Sequence, residues 1–355
     1  MDCYVLNSNR EANTLFEDYF SFIWTERYST TSEFKIEMPP SSANRALMKV
    51  DAILMISDSD EPMVIETAML KKQDDGSKRW IVQGRDLTSW LELRQSGYDV
   101  TYTSLRVSEI ASNLIARGAT NPPDPNDKIP NMTLTNNSTD GVKFDYETTN
   151  DNLLVDVQNI LNDNNCAVRC DRIGSQAAGW SFRYRIYNGT QKNVIFSDRD
   201  DTLINTQAII SKKKFRNRAE IRYKASNKED AKTLVRIVYG NGGNADQTGL
   251  NRRTIRVDAT SVNPNDYPGT RLNTVLDRMA RAALGERKAI NAIDGEVPAY
   301  TTAKYGVDYK LGDIVKFKSD DNAISPARVT EYIWIVDESG ERQYPTIQPT
   351  DDQTV

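Results

Sequence analysis

Two distant segments of this chain echo each other, and the echo limits what the chain can build. One reads Asp51-Ala-Ile-Leu-Met-Ile-Ser57-Asp58, then Pro62, a run from Met63 to Leu70, and a tip Asp74-Asp75-Gly76-Ser77-Lys78-Arg79. The other reads Asp313-Ile-Val-Lys-Phe-Lys-Ser319-Asp320, then Pro326, a run from Ala327 to Val336, and a tip Asp337-Glu338-Ser339-Gly340-Glu341-Arg342. Each has the order strand, Ser-Asp turn, proline, long strand, and acidic-Gly-basic hairpin tip. Two explanations stay open: an internally duplicated β-module, or two unrelated hairpins sharing common turn chemistry. Duplicated β-modules suit a ring better than an enzyme pocket. Duplication requires residues 50–86 and 310–347 to match strand for strand.

Hydrophobic periodicity extends this picture. In Glu33–Met38, Phe34, Ile36 and Met38 alternate with Glu33, Lys35 and Glu37, the pattern of a half-buried strand. Further strands are expected at 2–7, 20–28, 50–57, 63–71 and 78–84, followed by a short helix capped by Asp86. After Tyr102 the period changes. Val107, Ile110, Ala111 and Leu114 fall at helical spacing, with Gly118 as the expected C-cap and a loop over 118–131. Leu153, Leu154, Val157, Ile160 and Leu161 predict a second helix, capped by Asn150 or Asp151, before strands at 166–172, 180–187 and 192–197. Strands are expected at 203–212, 217–224, 234–239 and 252–259, then a helix over 270–288 and a final β-segment over 292–348. The expected class is α+β, mainly β. Two barrel-like β-domains (1–102 and 203–348) flank a small α+β domain (103–202), with a loose tail at 349–355.

Composition removes several chemistries. There is no histidine among 355 residues. That excludes Ser-His-Asp and Cys-His catalysis and the usual neutral-pH switch. Cys166 and Cys170, on one face of a strand, stand roughly 13 Å apart, beyond disulfide reach. With Cys3 distant, neither a zinc set nor a disulfide framework is expected, which fits synthesis in a reducing cytoplasm. The net charge of −5 argues against a basic nucleic-acid surface. The run Lys212-Lys213-Lys214-Phe-Arg216-Asn-Arg218 reads as a solvated hairpin end, and Asp198-Arg199-Asp200-Asp201 as a charged turn. No secretory signal is visible, and no stretch approaches the ~20 apolar residues of a membrane span. Carboxylates abound, but none is singled out as one of a catalytic pair. Trp24, Tyr28, Trp80, Trp90, Trp180 and Trp334 fall mostly on expected strands, as core residues or as anchors of subunit contacts. No catalytic, cofactor or metal residues are expected.

Four motifs occur in order. They are Phe22-Ile23-Trp24-Thr25-Glu26-Arg27-Tyr28 with Glu33-Phe34-Lys35-Ile36; Met63-Val64-Ile65-Glu66-Thr67; Val82-Gln83-Gly84-Arg85-Asp86-Leu87; and Tyr309-Lys310-Leu311-Gly312-Asp313-Ile314-Val315. Together they resemble the siphophage tail-tip (baseplate) hub, or tail-associated, protein family, carried here by Trp24, Arg27, Tyr28, Phe34, Glu66, Gly84, Arg85, Gly312 and Asp313. The resemblance implies a fold similar to the trimeric hub of contractile-tail baseplates. In such hubs two barrel-like domains per chain alternate around a trimer with pseudo-sixfold symmetry. It further implies a virion protein assembled in the host cytoplasm. That protein would form a homotrimer between a distal tail or tail-tube protein and a tip, fibre or tape-measure protein, with DNA only as passing cargo. Many relatives continue into a peptidoglycan-cleaving or fibre-like region. The chain stops at Val355, so no lytic activity is carried over. The alternative is an envelope-degrading or carbohydrate-binding tail protein; a tail-like injection particle shares the fold.

Overall fold

A computed structural model describes all residues except 8–9, 139–142, 150–151, 163, 176–177, 198–199, 227, 229–230, 268, 270, 299–300, 319–323 and 351–355. The first stretch contains β1 (Cys3–Leu6), β2 (Ala12–Phe16), β3 (Ser21–Arg27), β4 (Glu33–Met38), α1 (Ser42–Leu47), β5 (Ile53–Ile56), β6 (Met63–Lys72) and β7 (Lys78–Asp86). A 3-10 helix, Leu87–Leu93, begins where the Asp86 carboxylate accepts the Thr88 N–H, the cap that the sequence predicts.

The middle stretch contains β8 (Tyr98–Arg106), α2 (Val107–Ile115), β9 (Met132–Asn136), β10 (Lys143–Thr149), α3 (Leu153–Asn162), β11 (Ala167–Ser175), β12 (Gly179–Tyr187) and β13 (Gln191–Phe196). The last contains β14 (Ile204–Ser211), β15 (Arg218–Lys224), β16 (Thr233–Tyr239), β17 (Thr254–Ala259), α4 (Arg271–Gly285), β18 (Ile290–Glu296), β19 (Ile314–Lys318), β20 (Ile324–Asp337) and β21 (Gly340–Pro349).

One sheet of 13 strands dominates. Its main path is β14-β18-β21-β20-β3-β4-β7-β6-β5-β1-β2, with β19 joining β20 to β13. The N-terminal and C-terminal stretches therefore meet edge to edge where β3 pairs antiparallel with β20. One core serves both, with Phe22, Trp24, Ile36, Met38, Leu54 and Ile65 clustered with Val315, Val329, Tyr332, Trp334 and Ile347. The mainly-β α+β class holds. The barrel-like form does not: among the described residues no sheet closes on itself. The reason is visible in the pairing, since the edge that would close a first barrel is occupied by β20.

A second core lies under the middle stretch, where α2 and α3 pack on the β9-β11-β12 sheet with Leu87 and Leu91 of the 3-10 helix. A third, smaller core holds α4 against the β15-β16-β17 sheet through Ile221, Leu276 and Ala280. Several sequence expectations are corrected. The segment 118–131 contains helical turns at Ala116–Thr120 and Pro125–Asp127. Gly118 lies inside the first of these, where a Cβ would stand 2.5 Å from Leu153 Cδ2, so close packing explains this glycine and capping does not. β2, β8, β9, β10 and α1 are not expected from the sequence: β2, β9 and α1 are only five or six residues long, and β8 and β10 pair with each other across the intervening α2 and β9. Asn150, Asp151, Asp198, Arg199, Ser319, Asp320 and the end of the tail lie outside the described residues.

The echo has a structural counterpart. β5 pairs antiparallel with β6, and β6 with β7; β19 pairs antiparallel with β20, and β20 with β21. Both hairpins carry a register shift at the same place, between Ile65 and Thr67 in one and between Val329 and Glu331 in the other. Each site is three residues beyond its proline. Matching hydrogen bonds flank the bulges. Asp51 N–H donates to Ile65 O (2.9 Å) and Ile65 N–H to Ala52 O (2.9 Å); Gly312 N–H donates to Val329 O (2.8 Å) and Val329 N–H to Asp313 O (2.9 Å). Asp313 thus corresponds to Ala52, one residue from the sequence alignment of the echo.

The match extends outward. β7 pairs with β4 and β4 with β3; likewise β21 pairs with β18 and β18 with β14. Cross-strand rows coincide. Ile65-Gly84-Phe34-Trp24 answers to Val329-Ile347-Ile293-Ala208, and Thr67-Gln83-Lys35-Ile23 answers to Glu331-Thr346-Asp294-Gln207. Five strands in one order, register and bulge position make a repeated module. In the second copy, β15 to α4 are inserted between the strands that a short turn joins in the first.

Candidate functional site

The junction of the two modules, β3 against β20, gathers most of the motif residues. Trp24 sits directly opposite Trp334, and both are buried to 1% exposure or less. Trp24 also stacks on Phe34 with ring centroids 5.8 Å apart. At the rim, Arg27 donates from Nε to Glu331 Oε1 (2.9 Å) and from Nη2 to Glu33 Oε1 (2.5 Å), tying β20 to the β3–β4 hairpin. This guanidinium holds the Glu33 carboxyl below its ordinary value.

Tyr28 joins three parts of the chain. Its N–H donates to Thr330 O (2.9 Å), and its hydroxyl donates to Asn165 O (2.7 Å) in the middle stretch. Its ring meets Tyr187 edge-on at 5.5 Å, and the Arg328 guanidinium lies over it at 5.3 Å. Burial pushes the Tyr28 hydroxyl up to about 12. Gly312 answers to this ring. Its φ is +84°, and a Cβ there would stand 2.2 Å from Tyr28 Cε2. Beside it, the buried Asp313 carboxylate accepts from Thr190 N–H (2.8 Å) and Lys310 N–H (2.9 Å), fixing the Leu311-Gly-Asp turn to the segment after β12.

Glu66, Gly84 and Arg85 lie elsewhere, on the β6–β7 hairpin. Arg85 binds Glu66 (2.9 and 2.8 Å) and Glu92 (2.6 and 2.8 Å), so it staples the bulge to the 3-10 helix. Gly84 is required by close approach: a Cβ there would lie 1.8 Å from Val64 O. The structure thus brings Trp24, Arg27, Tyr28, Phe34, Gly312 and Asp313 to the junction of modules, and Glu66, Gly84 and Arg85 to the bulge. Trp80, Trp90 and Trp180 are half-buried.

Sequence reasoning missed a buried ion cluster behind the junction. Glu26 accepts from Tyr305 Oη (2.6 Å) and from Ser59 Oγ. Arg169 contacts Asp171 (2.8 Å) and Glu26 (4.0 Å). Glu61 accepts from Ser32 Oγ (2.8 Å), whose N–H donates to Asp86 (2.5 Å). Burial drives the Glu61 carboxyl well above its ordinary range despite nearby Arg169, and raises Asp86 to about 6. Arg169 keeps its charge through Glu61, Glu26 and Asp171, which outweigh its own burial. Glu26 on an apolar strand was the one readable sign of this cluster. It lines a polar cleft of about 680 Å³ together with Asp58, Asp60, Asp171, Arg183 and Arg185. Asp171 is held low, because Arg169, Arg185 and Arg183 outweigh its burial. Among the described residues no cluster of three or more His, Cys, Asp or Glu side chains could hold a metal ion, and no helix is long and apolar enough to cross a membrane.

The fold has known counterparts. The chain overlays the 43 kDa tail protein of prophage MuSo2 from Shewanella oneidensis with a TM-score of 0.58 at 12% identity, covering 98% of each chain. The tail protein from Neisseria meningitidis MC58 gives 0.57 at 12% identity, covering 98% of this chain and 96% of that one. Prophage tail protein gp18 from Listeria monocytogenes EGD-e gives 0.50 at 10% identity, with coverage of 100% and 96%. At such identities the likeness is one of fold, and the fold is one that phage tail proteins use. The chain belongs to the Siphovirus ReqiPepy6 Gp37-like protein family, whose model matches residues 2–347. None of the curated proteins matches it.

Proposed function

We propose that this chain is a structural protein of a phage tail, forming a homotrimeric hub at the tail tip. The hub joins a sixfold tube to a threefold tip and surrounds the DNA channel. One face meets a distal tail or tail-tube protein, and the other a tip, fibre or tape-measure protein. The observation that carries this reading is the repeated five-strand module. Three chains with two like modules each present six, the number a sixfold tube requires. The family and the tail-protein fold support a place in the virion, and assembly in the host cytoplasm is part of the proposal.

The proposed role involves no bond chemistry. The engagement of Glu26 by Tyr305 and Ser59, and of Asp171 by three arginines, supports a structural use of the cleft carboxylates. Light scattering on the purified chain is expected to give three times the chain mass, with rings in electron micrographs. A monomer at micromolar concentration without rings sinks the hub reading. Release of soluble fragments from purified cell wall, lost on Asp or Glu substitution in the cleft, would replace it with an envelope-degrading role.

A further inference from the structure

The repeated module leaves two edges unequal within one chain. In the second copy, the first half of β20 pairs with β19 and the second half, Glu331–Val336, with β3 of the first copy. In the first copy, β5 pairs only with Met63 and Val64 of β6. Residues 66–72, the counterpart of the half that β3 covers, are flanked by β7 on one side and, among the described residues, by no strand on the other. The counterpart of β3 is β14, which among the described residues pairs on one side only, with β18. A covered junction therefore exists once, and its two complementary halves are repeated bare, one on β14 at the end of the sheet path and the other on the part of β6 that extends beyond β5.

Both bare edges expose apolar side chains. Met69 and Leu70 on β6 are 38% and 47% exposed, and Ile209 and Ile210 on β14 are 41% and 63% exposed. Trp334, the counterpart of Leu70, is 1% exposed. Unpaired apolar strand edges are templates for a further strand. Lys71 and Lys72 guard only the outer tip of β6, leaving Ala68–Leu70 open.

Resting on the trimeric hub reading, we propose that β14 of one copy adds antiparallel to β6 of the next copy, repeating between chains the β3–β20 junction. The register follows from the coincident rows. Trp24 corresponds to Ala208 and Ile65 to Val329, so Arg27 opposite Glu331 becomes Ser211 opposite Thr67. Ile210 then faces Ala68, Ile209 faces Met69, and Gln207 faces Lys71. The contact is head to tail. Such an interface continues around an axis and closes when the rotation permits, so every module in the ring meets its neighbours through the same kind of junction. The three native cysteines are buried and leave the edges free for labelling.

The test is crosslinking in the assembled full-length chain. Equal amounts of Ile209→Cys and Met69→Cys chains are mixed, assembled and oxidised. Directly opposed residues fall within disulfide reach, whereas Ile209→Cys with Lys72→Cys is about 10 Å out of register and should give at least about tenfold less covalent dimer. Separately, Ile210→Asp places a charge on the edge. It should convert trimer to monomer with an unchanged circular dichroism spectrum. A trimer that survives Ile210→Asp and yields no 209–69 disulfide overturns the edge pairing and leaves the hub standing. Preferential 209–72 crosslinking overturns the register. A wild-type chain that stays monomeric overturns both readings.

Discussion

Gly312 concentrates the residue-scale logic of this chain. A left-handed backbone and a tyrosine ring in the space of a Cβ both demand glycine. Gly312→Ala combines the left-handed penalty with overpacking, and should cost about 2–5 kcal/mol in urea unfolding. Loss of the Tyr28–Asn165 contact should accompany it. The buried carboxylates set the pH response. Asp86 titrates at about 6 in the fold, against an ordinary value of 3.8, and Glu61 is raised as well. A raised carboxylate binds its proton more tightly folded than unfolded, so it lowers stability above its folded value and is relieved as the pH falls toward the unfolded one. Glu33, Glu37 and Glu92 have the opposite sign: cationic partners lower them, and their contribution is lost only as the pH falls through their depressed values. Thermal stability should therefore rise slightly from pH 7.5 to pH 5.5 and fall in stronger acid. In Asp86→Asn the slope between pH 6 and 4 should flatten, whatever the absolute melting temperature; an unchanged slope would rule out Asp86 as the titrating group.

At the scale of elements, junction and bulge use different chemistry. The β3–β20 junction is held by an apolar Trp24–Trp334 pair and closed at its rim by Arg27 and Glu331, whose side chains are 25% and 33% exposed. Solvent screening limits such a pair, so a double-mutant cycle on Arg27→Ala and Glu331→Ala should give a coupling of about 0.5–1 kcal/mol. The bulge instead depends on close backbone approach. Gly84→Ala must move the Val64 carbonyl and should destabilise by about 1–3 kcal/mol, while the exposed Gly76 at the hairpin tip has no neighbour within 4 Å. Elements with strong period were readable in advance. The strand Glu33–Met38 and the cap at Asp86 follow from alternation and side-chain chemistry alone. Strands such as Tyr98–Arg106 were not, because their form is imposed by partners remote in sequence.

For the whole molecule, the decisive fact is that the first and last stretches are one sheet. A fragment ending at residue 102 lacks β20, and Trp24 loses the strand that covers it. That fragment should show no cooperative unfolding transition. In the full chain, by contrast, Trp24 and Trp334 should report a single shared transition by fluorescence. Two separated transitions assigned to the two modules would contradict the shared core.

Alternation, turn residues and the echo determined by themselves that the chain is mainly β, that it carries two like hairpins, and that histidine chemistry is absent. These are local properties, fixed by side-chain period and backbone preference. Tertiary structure alone decided that the echo extends to five strands, that Asp313 answers to Ala52, and that Glu26, Glu61 and Arg169 meet. It also left one junction covered and two matching edges bare. Strand pairing is set by which distant surfaces bury each other, and that choice leaves no local mark on the sequence.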